Sequence, residues 1–284
     1  MNLPNQPITR LRLVIMNAKL QEVMRNHPNI STEEVVSLLS FSNAEREHVD
    51  NTTSKQWQCE EWYLHKASFI TASKCKRVFN RQDTLDNNKE ENGEQEMEPQ
   101  NAREWGLFHD ESARKGYQRV SSHTHHKLEL VSKPKPFLGA NVYNIQQCQC
   151  SDGCRNKVVE YKCPWKHRDL HPKEVFLTPE ISGIKNGKKF ALKPSSHYHF
   201  QLQLHMFVSE LTFNVLVVWT TKGIFTVEVP YNPNFMFDSC AKLEKVWKSQ
   251  VLPFTMAEMT RTVFPGISIG FSLCFLNAET IIIV

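Results

Sequence analysis

The residues Val158 to Trp165 read VVEYKCPW. Along a strand residues i and i+2 share a side, so Glu160 and Lys162 point one way and Val159 and Tyr161 the other. A carboxylate and an ammonium beside β-branched neighbours are costly to bury unless they pair or hold a metal. The residues alone leave two readings open: an ion pair at a sheet edge, or half of a metal-dependent site. Asp110 or Glu111 in WGLFHDESARKGY (105–117) would by themselves be solvated helix residues. Gln201 and Gln203 in YHFQLQLHM (198–206) either serve a site or satisfy backbone groups in an otherwise apolar helix. Cys148, Cys150, Cys154 and Cys163 with His167 invite a zinc reading, but their CxC-x3-C spacing is not a usual ligand knuckle. His123, His125 and His126 read as an exposed polar run before a strand. The basic segment GIKNGKKFALK (183–193) either tracks a phosphate backbone or is a solvated loop.

Composition sets the frame for these residues. The chain has 284 residues, 40% hydrophobic and 23% charged with both signs mixed, enough for one large domain with an appendage. A net charge of +4 permits a polyanionic partner without demanding one. Eight cysteines and an N-terminus without the apolar core of a secretory signal fit a reducing interior. The expected location is therefore intracellular, nuclear or cytoplasmic, and not secreted. From Thr262 to Ala278 no residue is charged, but Pro265, Gly266, Gly270 and Asn277 interrupt the stretch, so no membrane span is expected there. That tail is assigned no function.

The elements that must position Glu160 and Lys162 follow from periodicity. Residues 8 to 26 carry apolar side chains at helical spacing, and a second helix starts at STEE, where Ser31 can cap and Glu34 sits at the third position. A third helix is predicted over about 55–66 and a fourth over Ile70 to Phe79, capped by Thr71 or Ser73. DTLDNNKEENGEQEMEPQ reads as a disordered acidic loop over 82–101. Helical spacing returns from Arg103 to Tyr117. Strands are predicted at Lys127–Val131, Phe137–Ile145 and Lys157–Lys162, then a helix at Tyr198–Glu210. Strands at Thr212–Thr220 and Ile224–Val229 and a helix at Asn234–Val251 close the order. Such an order implies an α/β architecture: a mixed central sheet flanked by helices, with a helical N-terminal part.

Several of these stretches together resemble a known family. FITASK (69–74), WGLFHDESARKGY, PFLGA (136–140), VVEYKCP and YHFQLQLHM stand in the order of the motifs of YqaJ-type viral recombinase domains. That group includes the phage lambda exonuclease and lies within the PD-(D/E)XK nucleases. The resemblance covers about Thr52 to Pro253 and implies a restriction-endonuclease-like core. It suggests a helical extension over 1–54, an exonuclease-like domain over 55–254 and the apolar tail over 255–284. It further implies Mg²⁺- or Mn²⁺-dependent hydrolysis of DNA phosphodiesters from a 5′ end, with duplex DNA ends as partner and an oligomer as a possibility. Residue by residue, it implies metal binding by Asp110 and Glu160. Lys162 would orient the attacking water or stabilise the transition state, and Gln203 would hold the water or the scissile phosphate. Gln201 would contact substrate, and Lys66 and Ser73 would grip the terminal phosphate. Lys66 stands where the family has arginine, which keeps the charge and loses the fork.

One departure matters most. The family's S-P-D-G falls on Asn141 to Asn144, which here reads NVYN, so Tyr143 stands at the place of the metal-binding aspartate. A neutral phenol is a poor Mg²⁺ ligand. SDG recurs at 151–153, and Asp152 is the one residue that could take over the role. The resemblance therefore supports two expectations. One is a deoxyribonuclease impaired at Tyr143; the other is a non-catalytic DNA-binding or interaction protein descended from one.

Overall fold

The computed structural model describes residues 15–27, 30–53, 69–84, 99–121, 124–131, 135–147, 155–253 and 255–256. The predicted helix over 55–66, most of the acidic segment, residues 148–154 and the apolar tail lie outside them.

Three helices open the described chain: α1 (Ile15–Asn26), α2 (Thr32–Leu38) and α3 (Asn43–Thr53). Ser31 and Glu34 form a reciprocal capping box at α2, with Ser31 N–H donating to Glu34 Oε2 at 3.0 Å and Glu34 N–H to Ser31 Oγ at 3.3 Å. Met16, Leu20 and Val35 are fully buried, which ties this helical part to the main core.

The predicted helix from Ile70 is corrected at its start. Ile70 and Thr71 form a short strand β1, parallel to β3 (Leu138–Gln147). A 3₁₀ turn, Ala72–Lys74, then leads into α4 (Cys75–Thr84). Thr71 has extended backbone and makes no side-chain cap. The pull into the sheet is burial: Phe69, Ile70 and Ala72 all enter the core. The acidic segment is corrected at both ends, because α4 runs to Thr84 and α5 (Pro99–Ser121) begins at Pro99.

The sheet is mixed and six-stranded among the described residues, in the order β1, β3, β4 (Lys157–Lys162), β7 (Phe213–Thr220), β8 (Gly223–Pro230), with β2 (Thr124–Val131) also pairing with β3. β4 lies antiparallel to β3 and parallel to β7, and β7 is antiparallel to β8. On one face of β4, Val159 and Tyr161 pack with Ala113 and Tyr117 of α5. Gly116 keeps that helix close, since a Cβ there would stand 3.1 Å from Ile224 Cγ2. The other face carries α7 (His197–Ser209), which is buried nearly all round. Its N-cap is Ser196, whose Oγ accepts from His199 N–H at 2.9 Å.

Between β4 and α7 lie a short helix α6 (Pro172–Phe176) and a hairpin, β5 (Gly183–Asn186) with β6 (Lys189–Leu192). The basic segment is therefore a hairpin rather than a loop. Phe190 anchors it against Phe176 and Phe225, with ring centroids 6.1 and 5.1 Å away. Gly183 is obligatory there, because a Cβ would come within 2.3 Å of Phe176. The helix α8 (Pro233–Val246) passes into a π-helical turn, Trp247–Val251, and closes the core.

Candidate active site

β4 and α7 bring the polar residues together. Glu160 is only 3% exposed in the middle of the sheet. Its Oε1 accepts from Gln201 Nε2 at 2.9 Å and pairs with Lys162 Nζ at 2.6 Å. The strand period explains the pair, since both side chains leave the same face two residues apart. Lys162 Nζ also lies 5.0 Å from the centre of the Tyr198 ring, one helical turn from Gln201. Glu160 Oε2 is buried with no hydrogen-bond partner, and His205 Nδ1 stands 3.7 Å from it, likewise unpartnered. Burial pushes the His205 imidazole below its ordinary pKa, against the pull of the Glu160 carboxylate.

Gln203 is not part of this group. Its Nε2 donates to the Pro230 carbonyl at 2.9 Å and its Oε1 accepts from Asn232 N–H at 2.8 Å. The reason is helical rotation: two residues on α7 turn the side chain about 200° away from Gln201. Gln203 seals the β8–α8 junction, and the amide at the carboxylate is Gln201. This corrects the role expected of Gln203.

Asp110 lies on α5, the helix packed on the opposite face of β4. Burial first, and then the Asp110 charge, push the Cys163 thiol up to about 12, while Lys162 pulls it down. Cys163 thus stands between the electrostatic reach of Asp110 and that of Lys162. Glu111 turns to solvent instead, paired with Arg114 at 2.5 Å and Lys115 at 3.7 Å. The helix register therefore favours Asp110 over Glu111 as the inward residue.

Tyr143 lies in β3 beside Asn144, which pairs with Val159; one further step of that register sets position 143 beside Glu160. Asn144 shares Val159's side and so faces α5, with a buried Nδ2 that finds no partner. Lys66 and Asp152 lie outside the described residues. Ser73 is exposed on the 3₁₀ turn that packs on α7. Nearby Lys76 Nζ donates to the Ser195 carbonyl. Burial, then Lys162 and Lys76, lower the pKa of His197, so these cations converge at the start of α7. Lys76 and His205 were not singled out from the sequence; Lys76 lies one helical turn beyond Ser73, and His205 one turn beyond Gln201 on α7.

A divalent cation fits this group in part. Glu160 Oε2 is an orphaned anionic oxygen, whereas Asp110 stands on α5, the helix on the opposite face of β4. No group of three or more His, Cys, Asp or Glu suited to a metal occurs among the described residues. That also bears on the zinc reading: Cys163 is a free, half-buried thiol, and His167 pairs with Glu180 at 3.5 Å. Cys148, Cys150, Cys154 and His123 lie outside the described residues, and His125 and His126 lie in β2. No described helix is long and apolar enough to cross a membrane.

Comparison with solved structures finds similar chains at low identity. The alkaline exonuclease LHK-Exo from Laribacter hongkongensis is 17% identical, with a TM-score of 0.48 over 71% of this chain and 94% of that one. A complex of LHK-Exo with dAMP gives 18% and 0.48 over the same shares. A SOX–DNA complex is 10% identical, with a TM-score of 0.49 over 91% of this chain and 86% of that one. No curated protein sequence matches the chain. The family model of the YqaJ-like viral recombinase domain matches residues 61–212, which is more than half of the sequence. The chain belongs to the family of YqaJ-like viral recombinase domains.

Proposed function

We propose that this chain is a metal-dependent deoxyribonuclease of the DNA-end, 5′ to 3′ type whose turnover is impaired by Tyr143. The observation that carries the reading is Glu160 held between Lys162 and Gln201 with its second oxygen unengaged. Glu160 and Asp110 would hold Mg²⁺ or Mn²⁺. Bound there, the cation supplies a water of lowered pKa and positive charge opposite the phosphate. Gln201 and Lys162 fix Glu160 Oε1, so that Oε2 keeps its direction. Lys162 holds the attacking water and offsets negative charge as the bond from water oxygen to phosphorus forms and the bond from phosphorus to the 3′ oxygen breaks. Ser73, Lys76 and Lys66 grip the terminal phosphate as hydrogen-bond donors and cations. The basic hairpin, with Lys185, Lys188 and Lys189 exposed, lies along the DNA backbone.

Tyr143 favours a second reading, a DNA-end-binding protein without turnover. End-labelled duplex DNA with Mg²⁺ or Mn²⁺ decides between the two. Release of label that disappears in Lys162→Ala supports the enzyme. Retained DNA binding without release in the native chain supports the second reading. Tyr143→Asp then raises Mg²⁺ affinity and creates or strengthens release, because an anionic ligand joins Glu160. If Asp152→Asn abolishes metal binding while Tyr143→Asp leaves it unchanged, Asp152 has taken the aspartate's place and the Tyr143 assignment is wrong.

A further inference from the structure

The end of β4 that carries Lys162 runs into an aromatic surface that the site has not used. Trp105 and His109 of α5, Trp165 just after β4 and Trp219 near the end of β7 form one group. Ring centroids lie 3.9 Å apart for Trp105 and His109, 5.0 Å for Trp105 and Trp165, and 4.5 Å for His109 and Trp219, the last pair stacked. The Arg168 guanidinium lies 3.9 Å from the Trp165 ring centre. Phe108 stands at the outer rim against His109, 78% exposed. A group serving only to pack would be sealed, yet all three tryptophans are only partly buried and the rim phenylalanine is open.

We propose that this rim is a stacking platform for an unpaired nucleobase of DNA that is engaged at the neighbouring carboxylate site. Position ties the two together: His109 precedes Asp110, and Trp165 follows Lys162 by three residues. Chemistry selects the occupant. Flat π faces with a guanidinium laid over one of them suit a base, and every base offers such a face. Lys166 and Arg168, with Lys222 in the β7–β8 turn that hydrogen-bonds to Arg168, supply cations for the phosphates; Asp169 offsets part of that charge. An aliphatic partner would be served as well by leucine or methionine, and the group contains neither.

This inference rests on the DNA-end reading, and its test separates the two. Full-length chain in Ca²⁺ is titrated with a short single strand carrying 2-aminopurine and with a blunt duplex. Binding is expected to quench 2-aminopurine at one or two positions. Phe108→Leu, at an open site where folding is not at stake, is expected to restore the fluorescence and weaken single-strand binding by roughly 5- to 100-fold, leaving the duplex unaffected. Phe108→Trp is expected to keep both. Single-strand binding untouched by Phe108→Leu overturns the platform alone. Self-association of the native chain that Phe108→Leu abolishes, with DNA affinity unchanged, assigns the rim to a second copy and also overturns it. Failure of the native chain to bind either probe removes the DNA-end reading and the platform together.

Discussion

Strand β4 presents two faces that differ in kind. Toward α7 it offers Glu160 and Lys162, met by Gln201, Tyr198 and His205. Toward α5 it offers Val159 and Tyr161, met by Ala113, Tyr117, Val215 and Val217. Adjacent residues on one backbone are thus given opposite tasks by the strand period alone. The α5 face gains from apolar burial, with a buried polar bond at its edge, Tyr117 Oη donating to Gln146 Oε1 at 2.8 Å. On the α7 face a buried charge is kept by one ion pair and one amide, an arrangement that contributes little net stability. The difference is one of cost: the α5 face is held by apolar packing, whereas the α7 face keeps a buried carboxylate that packing alone does not require.

The largest effect that could break this contrast is at Glu160. Glu160→Gln keeps the shape and removes the anion. Metal affinity is expected to fall on the order of 100-fold or more, read by calorimetric titration with Mn²⁺ on the folded variant, with some loss of stability because Lys162 Nζ loses its carboxylate. A marked loss of stability with metal binding intact would make Glu160 a structural residue. The mirror experiment is Val159→Ala on the fully buried α5 side. It is expected to cost about 2 kcal/mol through lost burial and a small cavity, and to leave Mn²⁺ affinity within about twofold in the folded protein.

A finer division runs through α7 itself. Gln201→Leu is expected to reduce metal affinity by roughly 10-fold, because the carboxylate loses the donor that orients it. Gln203→Leu is expected to leave metal affinity alone and cost about 2 kcal/mol, because the Pro230 carbonyl and the Asn232 N–H lose their partners in a closed junction. Equal effects of the two substitutions on metal binding would put Gln203 back in the site.

That pair also marks what the sequence could tell. VVEYK fixes the strand and the face of Glu160 and Lys162, because a period of two leaves no freedom. The apolar run around Gln201 and Gln203 fixes the helix but not which glutamine faces the sheet, since α7 is buried all round and has no polar side to set its rotation. Asp110 against Glu111 had the same ambiguity, resolved by Arg114 and Lys115 drawing Glu111 outward. β1 was illegible for another reason: two residues, Ile70 and Thr71, carry no periodicity, and only β3 makes them a strand. The helix α3 went unread because its residues are mostly polar. Yet Ser42 and Glu45 form a second capping box, with Ser42 N–H donating to Glu45 Oε2 at 2.7 Å, and S-x-x-E at 42–45 was a signal for it. The hairpin is hidden because lysines dominate the composition of 183–193, whereas its placement depends on Gly183, Phe190 and Leu192.

The smallest expected effect concerns pH, and it tests how much titrating load α7 carries beside that of His109 on α5, whose pKa burial also lowers. His199 sits on α7 against Phe235, ring centroids 4.8 Å apart, and both its ring nitrogens are buried without a hydrogen-bond partner. Burial lowers its pKa. With a lowered folded value, the unfolded chain takes up a proton that the folded chain refuses. Stability from this group is therefore full above the ordinary histidine value, about 6.5, and declines as pH falls below it toward the folded value. Burial lowers His197 and His205 in the same way, and they add to the slope. The denaturation midpoint should fall between pH 7 and pH 5, and His199→Phe should make that fall shallower without removing it. Tyr117→Phe on the α5 side should leave the slope as it is, because its phenol, pushed up to about 12 by burial and then by Glu228, does not titrate in that range. An unchanged slope in His199→Phe would mean that His199 takes its proton as readily in the folded chain as in the unfolded one, and that α7 is more open at that turn than its packing indicates.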